Sequence, residues 1–371
     1  MARAIVSVTN DLYTDNRVNK VCLFLVSQGY DVLLVGRKRK NSQPLGTRPY
    51  RTKRMKLLFE TGAKFYAAFN FRLFWFLFFR KADVLVSNDL DTLLANHWAK
   101  KFKRNCRLVY DSHEYFTEVP ELIDRPKVQR FWLRIERKIF PKLIDIYTVN
   151  ESIAKIYQDL YSKELKVVRN VSHKWEPQSI KSKAELGIDE TKPMIILQGA
   201  GINVERGGEE AVEAMNSVDA VLYFVGDGDV IPTLKRTVEE ENLAHRVKFI
   251  GRVPYQEMMN YTYHADIGLT LDKPRSMNYK FSLPNKVFDY MHTTTAIVAT
   301  DIVEVKRVVE SCDIGKIVEP FSSDSLASTL NELLSNPEQL STYKKNCIEA
   351  SKVHHWEAEQ EVLKTIYPKV D

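Results

Sequence analysis

The chain has 371 residues, enough for two domains with separate cores, and its 44% hydrophobic and 27% charged composition is that of an ordinary globular protein. The net charge of +6 conceals an asymmetry: residues 1–170 carry 32 Lys and Arg against 17 Asp and Glu, or +15, and the remainder 22 against 31, or −9. Only the first half therefore suits an anionic partner, with nucleic acid and a membrane surface as the two general candidates. Cys22, Cys106, Cys312 and Cys347 form no close pair, which argues against a disulfide framework or a zinc site and points to a reducing, cytoplasmic setting.

The N-terminus "MARAIVSVTND" enters a strand directly, without the regions of a signal peptide, so export is not expected. After "AIVSVT" come a helix ending near Gly29, "DVLLVG", a long aromatic helix, "DVLVSN", a helix and "RLVYDS". A basic amphipathic helix around Phe131 to Phe140 precedes "DIYTV" and "LKVVRN". From Val171 to Pro193 the rhythm lapses, then restarts with "MIILQG", "AVLYFVG", "RVKFIG", "ADIGLTL" and "AIVAT", each followed by a helical stretch. Strands alternating with helices predict two successive doubly wound α/β domains, with ligands at the carboxyl ends of the strands. The boundaries read as 1–172, a linker over 173–192, 193–353, and a C-terminal helix over 354–371 that packs back toward the first domain.

Several stretches offer chemistry beside a plainer structural role. "TNDLYTDNRVNK" opens a helix through Thr14 or Asp15, and its Asp15, Asn16 and Arg17 could line a crevice, although capping alone accounts for Thr14 and Asp15. "FYAAFNFRLFWFLFFRK" has 13 apolar residues in the 15 from Phe65 to Phe79, fewer than a spanning helix requires. It reads equally as a core helix or, with "RPYRTKRMK" before it, as interfacial contact with an anionic lipid surface through Phe71, Arg72, Trp75, Phe78, Arg80 and Lys81. Asp89 and Asp91 in "SNDLD" are spaced like metal ligands, but Asn-Asp before a helix is an N-cap signature, and no metal is predicted. "YDSHEYF" puts His113 and Glu114 just beyond a strand, where sites form.

In the second half, "QGAGINVERGG" supplies Gly199 and Gly201 for close backbone approach, and Arg206 where the next helix should begin. Val204 replaces the third glycine of a dinucleotide fingerprint, so a nicotinamide or flavin cofactor is not expected. In "SLPNKVFDYMHTTTAIVATD", Pro284 suits a first helical turn, and Lys286 and Asp289 lie three apart on one helix face. Asp301 and Glu304 read as a capping box for the helix that follows.

Together these segments resemble a retaining glycosyltransferase of family four, with GT-B architecture of two Rossmann-like domains facing a central crevice. "SLPNKVFDYM" with "AIVATD", "YDSHEYF", "GRVPYQEMMNYTYHADIGL" and "ERGG" match in order and spacing over nearly the whole chain. The resemblance implies a nucleotide-diphosphate sugar on the C-terminal domain, a glycan or lipid-linked acceptor on the N-terminal one, and no metal or resident cofactor. Asp289 takes the place of the glutamate that bonds the donor ribose. Arg206 and Lys286 share the diphosphate with amides near Pro284 and Asn285, Arg252 and Val253 meet the base, and His113 sits near the transferred sugar. His113, Arg206 and Lys286 are thus the implied catalytic residues. Asp15, Asn16, Arg17, His113 and Glu114 lie on the acceptor side. The family's paired acid, eight positions before Asp289, is replaced by Phe281, and its glycine-rich first loop by "TNDLYTDN".

The resulting expectation is a hexosyltransferase of cell-surface polysaccharide synthesis, cytoplasmic and peripheral on the membrane. The rivals are a nucleotide-sugar epimerase of the same fold and a non-catalytic relative that binds membrane or nucleic acid. The aromatic helix lacks the Arg/Lys interleaving of a nucleic-acid surface, so no nucleic-acid partner is predicted.

Overall fold

The computed structural model describes residues 1–13, 15–177 and 179–370. The chain divides into two compact units, Met1–Arg169 with Glu359–Asp371, and Asn170–Ala358. Each is an α/β unit built on one parallel sheet.

The first unit contains β1 (Arg3–Asp11), β2 (Asp31–Lys38), β3 (Arg51–Lys56), β4 (Val84–Asn88), β5 (Arg107–Ser112), β6 (Asp145–Thr148) and β7 (Lys166–Val167). Their spatial order is β3-β2-β1-β4-β5-β6-β7. Val84, Leu85 and Val86 of β4 are all buried, as continuous apolar runs must be when helices cover both faces of a sheet. β3 is a correction to the reading of "RTKRMK" as a basic flank. Only Met55 of its six residues is buried, because β3 is the sheet's edge strand, where Lys and Arg guard unpaired backbone groups. Residues from Glu359 onward belong to this unit: the Val370 amide donates to Gln28 at 2.9 Å and Arg107 donates to the Ile366 carbonyl at 2.9 Å.

The second unit contains β8 (Met194–Gly199), β9 (Val221–Gly226), β10 (Val247–Gly251), β11 (Ile267–Thr270), β12 (Ala296–Thr300) and β13 (Gly315–Val318), ordered β10-β9-β8-β11-β12-β13. The segment 173–192, expected as a linker, is pinned to this unit. The Lys181 amide donates to Asn260 at 2.9 Å, the Asp189 amide to Tyr223 at 2.9 Å, and Tyr261 to the Leu186 carbonyl at 3.1 Å. The strand order reverses between β1 and β4 in one unit and between β8 and β11 in the other, which is where open α/β sheets place their ligands.

Two local expectations change and a third holds at Asp15. The helix Val303–Cys312 has Ile302 at its N-cap and no capping box; Asp301 instead pairs with Lys306 at 3.1 Å and Glu304 with Arg307 at 2.8 Å. The helix carrying Asp289 runs Lys286–His292 with Asn285 at the N-cap, so Pro284 precedes it rather than lying in its first turn. Thr14 lies outside the described residues, and Asp15 caps the helix Asn16–Ser27 by accepting from the Val18 amide at 3.1 Å.

Candidate active site

In the second unit, the ends of β8 and β11 gather a charged cluster. Asp272, two residues beyond β11 and 2% exposed, accepts from Arg206 at 2.7 Å through one carboxylate oxygen; its other oxygen is buried without a partner among the described residues. Arg206 is in the turn before the helix Gly208–Ala214, with its guanidinium 4.8 Å from the Tyr279 ring centroid. Half-buried Lys286 has no hydrogen-bond or ion-pair partner among the described residues. Burial lowers the pKa of its ammonium and Arg206 lowers it further, against the pull of Asp272. Two cations and an unfilled carboxylate oxygen thus share one strand edge.

Asp289 is buried and held by three side chains. Tyr255 donates to one oxygen at 2.8 Å and Ser172 donates to the same oxygen; Gln198 donates to the other at 3.2 Å. Thr262 in turn donates to Gln198, which fixes the amide's orientation. Burial raises the Asp289 carboxyl, and its hydrogen bonds with Ser172 and Tyr255 oppose that rise. A carboxylate has about four acceptor sites, so three donors leave room for one ligand hydroxyl.

The remaining predicted donor residues surround these groups. Arg252 is exposed and Val253 half-buried in the loop after β10, which leads directly to Tyr255. Asn285 is exposed, and Pro284 and Phe281 are half-buried. The glycine turn differs from expectation. Gly199 has φ +152, but a Cβ on Gly201 would meet only the Asn203 amide nitrogen, at 3.7 Å. The position that demands glycine is Gly207, with φ +71 and a Cβ that would fall 2.3 Å from Leu271 Cβ.

In the first unit, the ends of β1, β4 and β5 hold a second cluster around His113, which is buried to 15% side-chain exposure. Its Nδ1 lies 3.3 Å from Asp89 and its Nε2 3.2 Å from Asp111, while its backbone amide donates to Asp89 at 2.8 Å. Burial opposes the charged ring, but the two carboxylates prevail and push the His113 pKa up to about 9. The imidazolium is a hydrogen-bond donor at neutral pH. Asp111, fully buried, resists burial's upward push because Arg17 and His113 bring it down to about 2.

Arg17, expected beside Asp15 and Asn16 on the acceptor side, is turned inward. It donates twice to Asp111, at 3.2 and 2.7 Å, and once to the Val168 carbonyl at 2.9 Å. Asn16 is exposed and Asp15 and Glu114 are half-buried. Asp89 occupies the N-cap position of the helix Leu90–Lys101 but makes no side-chain capping bond, because its carboxylate serves His113. Its backbone is at φ 57 and ψ 170, a region almost confined to glycine, and such strain concentrates at functional sites.

A family model described as glycosyl transferases group 1 matches residues 178–352, and one described as glycosyltransferase family 4 matches residues 16–171. The chain belongs to the family-four glycosyltransferases. The chain has the GT-B fold, shared at TM-score 0.80 with sucrose-phosphate synthase from Thermosynechococcus elongatus, at 18% identity over 99% of this chain and 98% of that one. Anabaena HepE, solved in complex with UDP-glucose, matches at TM-score 0.73 and 15% identity over 99% of both chains. A GDP-mannose-dependent monoacylated alpha-(1-6)-phosphatidylinositol monomannoside mannosyltransferase of Corynebacterium glutamicum is 33% identical over 91 residues. That match covers 23% of each chain, so this glycosyltransferase spans under a quarter of that relative's length in the alignment.

Sequence reasoning missed four residues of the second unit's cluster: Ser172, Gln198, Tyr255 and Asp272. Gln198 and Asp272 had a usable signal, since each is a polar residue at the end of an apolar strand run, "MIILQ" and "GLTLD". Ser172 had none, being brought to Asp289 only by the fold. The membrane-contact residues divide by face. Phe65, Phe69, Leu73 and Leu77 of the helix Gly62–Phe78 are buried, whereas Phe71 and Trp75 are exposed, as are Arg72, Arg80 and Lys81; Phe78 is half-buried. No described helix is long and apolar enough to cross a membrane.

Proposed function

We propose that this chain transfers a sugar from a nucleotide-diphosphate sugar to a glycan or lipid-linked acceptor, with retention at the anomeric carbon and without a metal. The observation that carries this reading is Lys286, a half-buried ammonium with no partner among the described residues, beside the Arg206–Asp272 pair. Cations fixed in a partly dry site gain most where negative charge develops, and in glycosyl transfer that is the departing diphosphate. Arg206 is held in place by Asp272, so it needs no reorganisation as charge builds. Asp289, three residues beyond Lys286, has acceptor capacity left for a ribose hydroxyl, and its three donors fix its direction. His113 is suited to donate a hydrogen bond to a sugar oxygen and, being protonated, not to act as a base.

One relative named above is GDP-mannose-dependent and a structural neighbour was solved in complex with UDP-glucose, so the donor base is a matter for measurement. The basic first unit suits residence on the cytoplasmic face of a membrane, in service of cell-surface polysaccharide synthesis. The test is a thermal-shift panel of UDP, GDP, UDP-glucose, UDP-N-acetylglucosamine and GDP-mannose without metal, repeated on Lys286→Ala and Asp289→Asn. One nucleotide sugar should raise the wild-type melting temperature by mass action, and the variants should lose that response. Absence of any shift at millimolar ligand would count against the donor site.

A further inference from the structure

The first unit carries a half-open cavity of about 1170 Å³. Its walls come from the helices Gly62–Phe78, Leu90–Lys101 and Pro126–Ile139, through Phe65, Phe74, Leu94, Trp98, Phe131 and Trp132. A cleft of this size with aromatic walls is on the scale of a ligand site.

The chemistry of the cavity is graded from one end to the other. At its inner end, the termini of β1 and β4 bring in Thr9, Asp89 and Asp91. Asp91 is 6% exposed; one carboxylate oxygen accepts from Thr9, and the other is buried without a partner among the described residues. A buried acceptor without a donor is costly, and a ligand hydroxyl placed there would satisfy it. Asp89, which also lines this end, is the residue bonded to His113. The outer rim is different: Phe71, Trp98 and Phe131 are 66%, 43% and 52% exposed, and Arg125 and Lys127 stand beside them. A sugar hydroxyl donating to Asp91 would satisfy that oxygen, and Arg37, which also lines the cavity, adds a donor for a polar head. An exposed aromatic rim with cations suits the headgroup zone of an anionic lipid surface.

We infer that this cavity holds the apolar chain of an amphiphilic acceptor, acyl or prenyl, with a hydroxyl-bearing head at Asp91 and the chain running out over the rim toward a lipid surface. This rests on the transferase reading and names the acceptor class it would use. The head then lies next to the His113–Asp89 pair, and the chain supplies binding energy away from the reacting hydroxyl.

The probes are methyl, octyl and dodecyl β-D-glucoside, with dodecanoate as a headless control, each below its micelle concentration. Binding is read from the fluorescence of Trp98 and Trp132 and from the melting temperature. Affinity should rise roughly tenfold for each two carbons added to the chain. Dodecyl glucoside should bind at least tenfold more tightly than dodecanoate, an advantage that Asp91→Ala removes. Leu94→Trp and Ala67→Trp fill the cavity from partly exposed wall positions and should each weaken dodecyl glucoside at least tenfold, leaving the nucleotide-sugar shift unchanged. Comparing decyl with geranyl β-D-glucoside tells straight acyl chains from branched prenyl ones. Affinity independent of chain length, or unaffected by both filling variants, overturns the proposal, as does a concentration-dependent dimer that buries the rim. Nucleotide-sugar shifts without amphiphile binding sink the cavity proposal alone. Amphiphile binding without any nucleotide shift sinks the donor reading instead.

Discussion

His113 and Asp89 contact each other twice: the imidazole Nδ1 lies 3.3 Å from one carboxylate oxygen, and the His113 backbone amide donates to the other at 2.8 Å. The strand end at β5 and the helix start after β4 are tied together through one aspartate, and that aspartate also lines the cavity.

The charge on His113 makes stability depend on pH. Its folded pKa of about 9 is above the unfolded value of 6.5, so its contribution is complete below pH 6.5 and disappears as pH rises through 9. Urea denaturation of wild type and His113→Gln from pH 6 to 10 should show a gap that closes toward the alkaline end. A gap constant with pH would mean that the ring is neutral throughout.

Asp89 combines a strained backbone with a useful carboxylate, and two substitutions separate them. Both Asp89→Ala and Asp89→Gly remove the His113 contact, but only glycine adopts φ 57 and ψ 170 without strain. The glycine variant should be more stable than the alanine variant by roughly 1–2 kcal/mol in chemical denaturation. Equal stabilities would show that the backbone at this position is relaxed.

Gly201 and Gly207, in the loop after β8, should behave oppositely. Gly207→Ala forces a Cβ to within 2.3 Å of Leu271 Cβ at positive φ and should cost roughly 2–3 kcal/mol. Gly201→Ala has space around it, so the melting temperature should hold while the nucleotide-sugar response shrinks. Equal destabilisation by both would contradict the loop geometry.

Tyr255→Phe removes one of three donors from the buried Asp289 carboxylate. A loss of about 1–2 kcal/mol is expected. Weaker donor binding should accompany it, because one of the three bonds that orient Asp289 is lost. Asp289→Ala strands Ser172, Tyr255 and Gln198 together and should cost more than Tyr255→Phe; calorimetry of the two variants gives the order.

Much of this protein is legible from its pattern of residues. Continuous apolar runs such as "AIVSVT" and "MIILQG", each followed by a helical segment, determine two parallel α/β sheets, because only a doubly covered strand can be apolar on both faces. Strands without that pattern escape: β3 reads as a basic flank because an edge strand has little to bury. His113 and Arg206 stand out as polar residues after strand ends, where the fold class places ligands, whereas Lys286 and Asp289 stand out by their three-residue spacing on one helix face.

Tertiary structure alone decided what those residues do. The sequence puts Asp89 before a helix, where capping is the local option, and the fold gives its carboxylate to His113, 24 positions away. Arg17 reads as a surface cation until Asp111, 94 positions distant, draws it inside. The aromatic helix Gly62–Phe78 divides into a buried face and a cavity-lining face only once two other helices stand beside it. Local sequence fixes periodicity and turn chemistry, which act over a few residues. Ion pairing, orphaned buried oxygens and cavities depend on which distant groups share one desolvated space, and only folding brings them together.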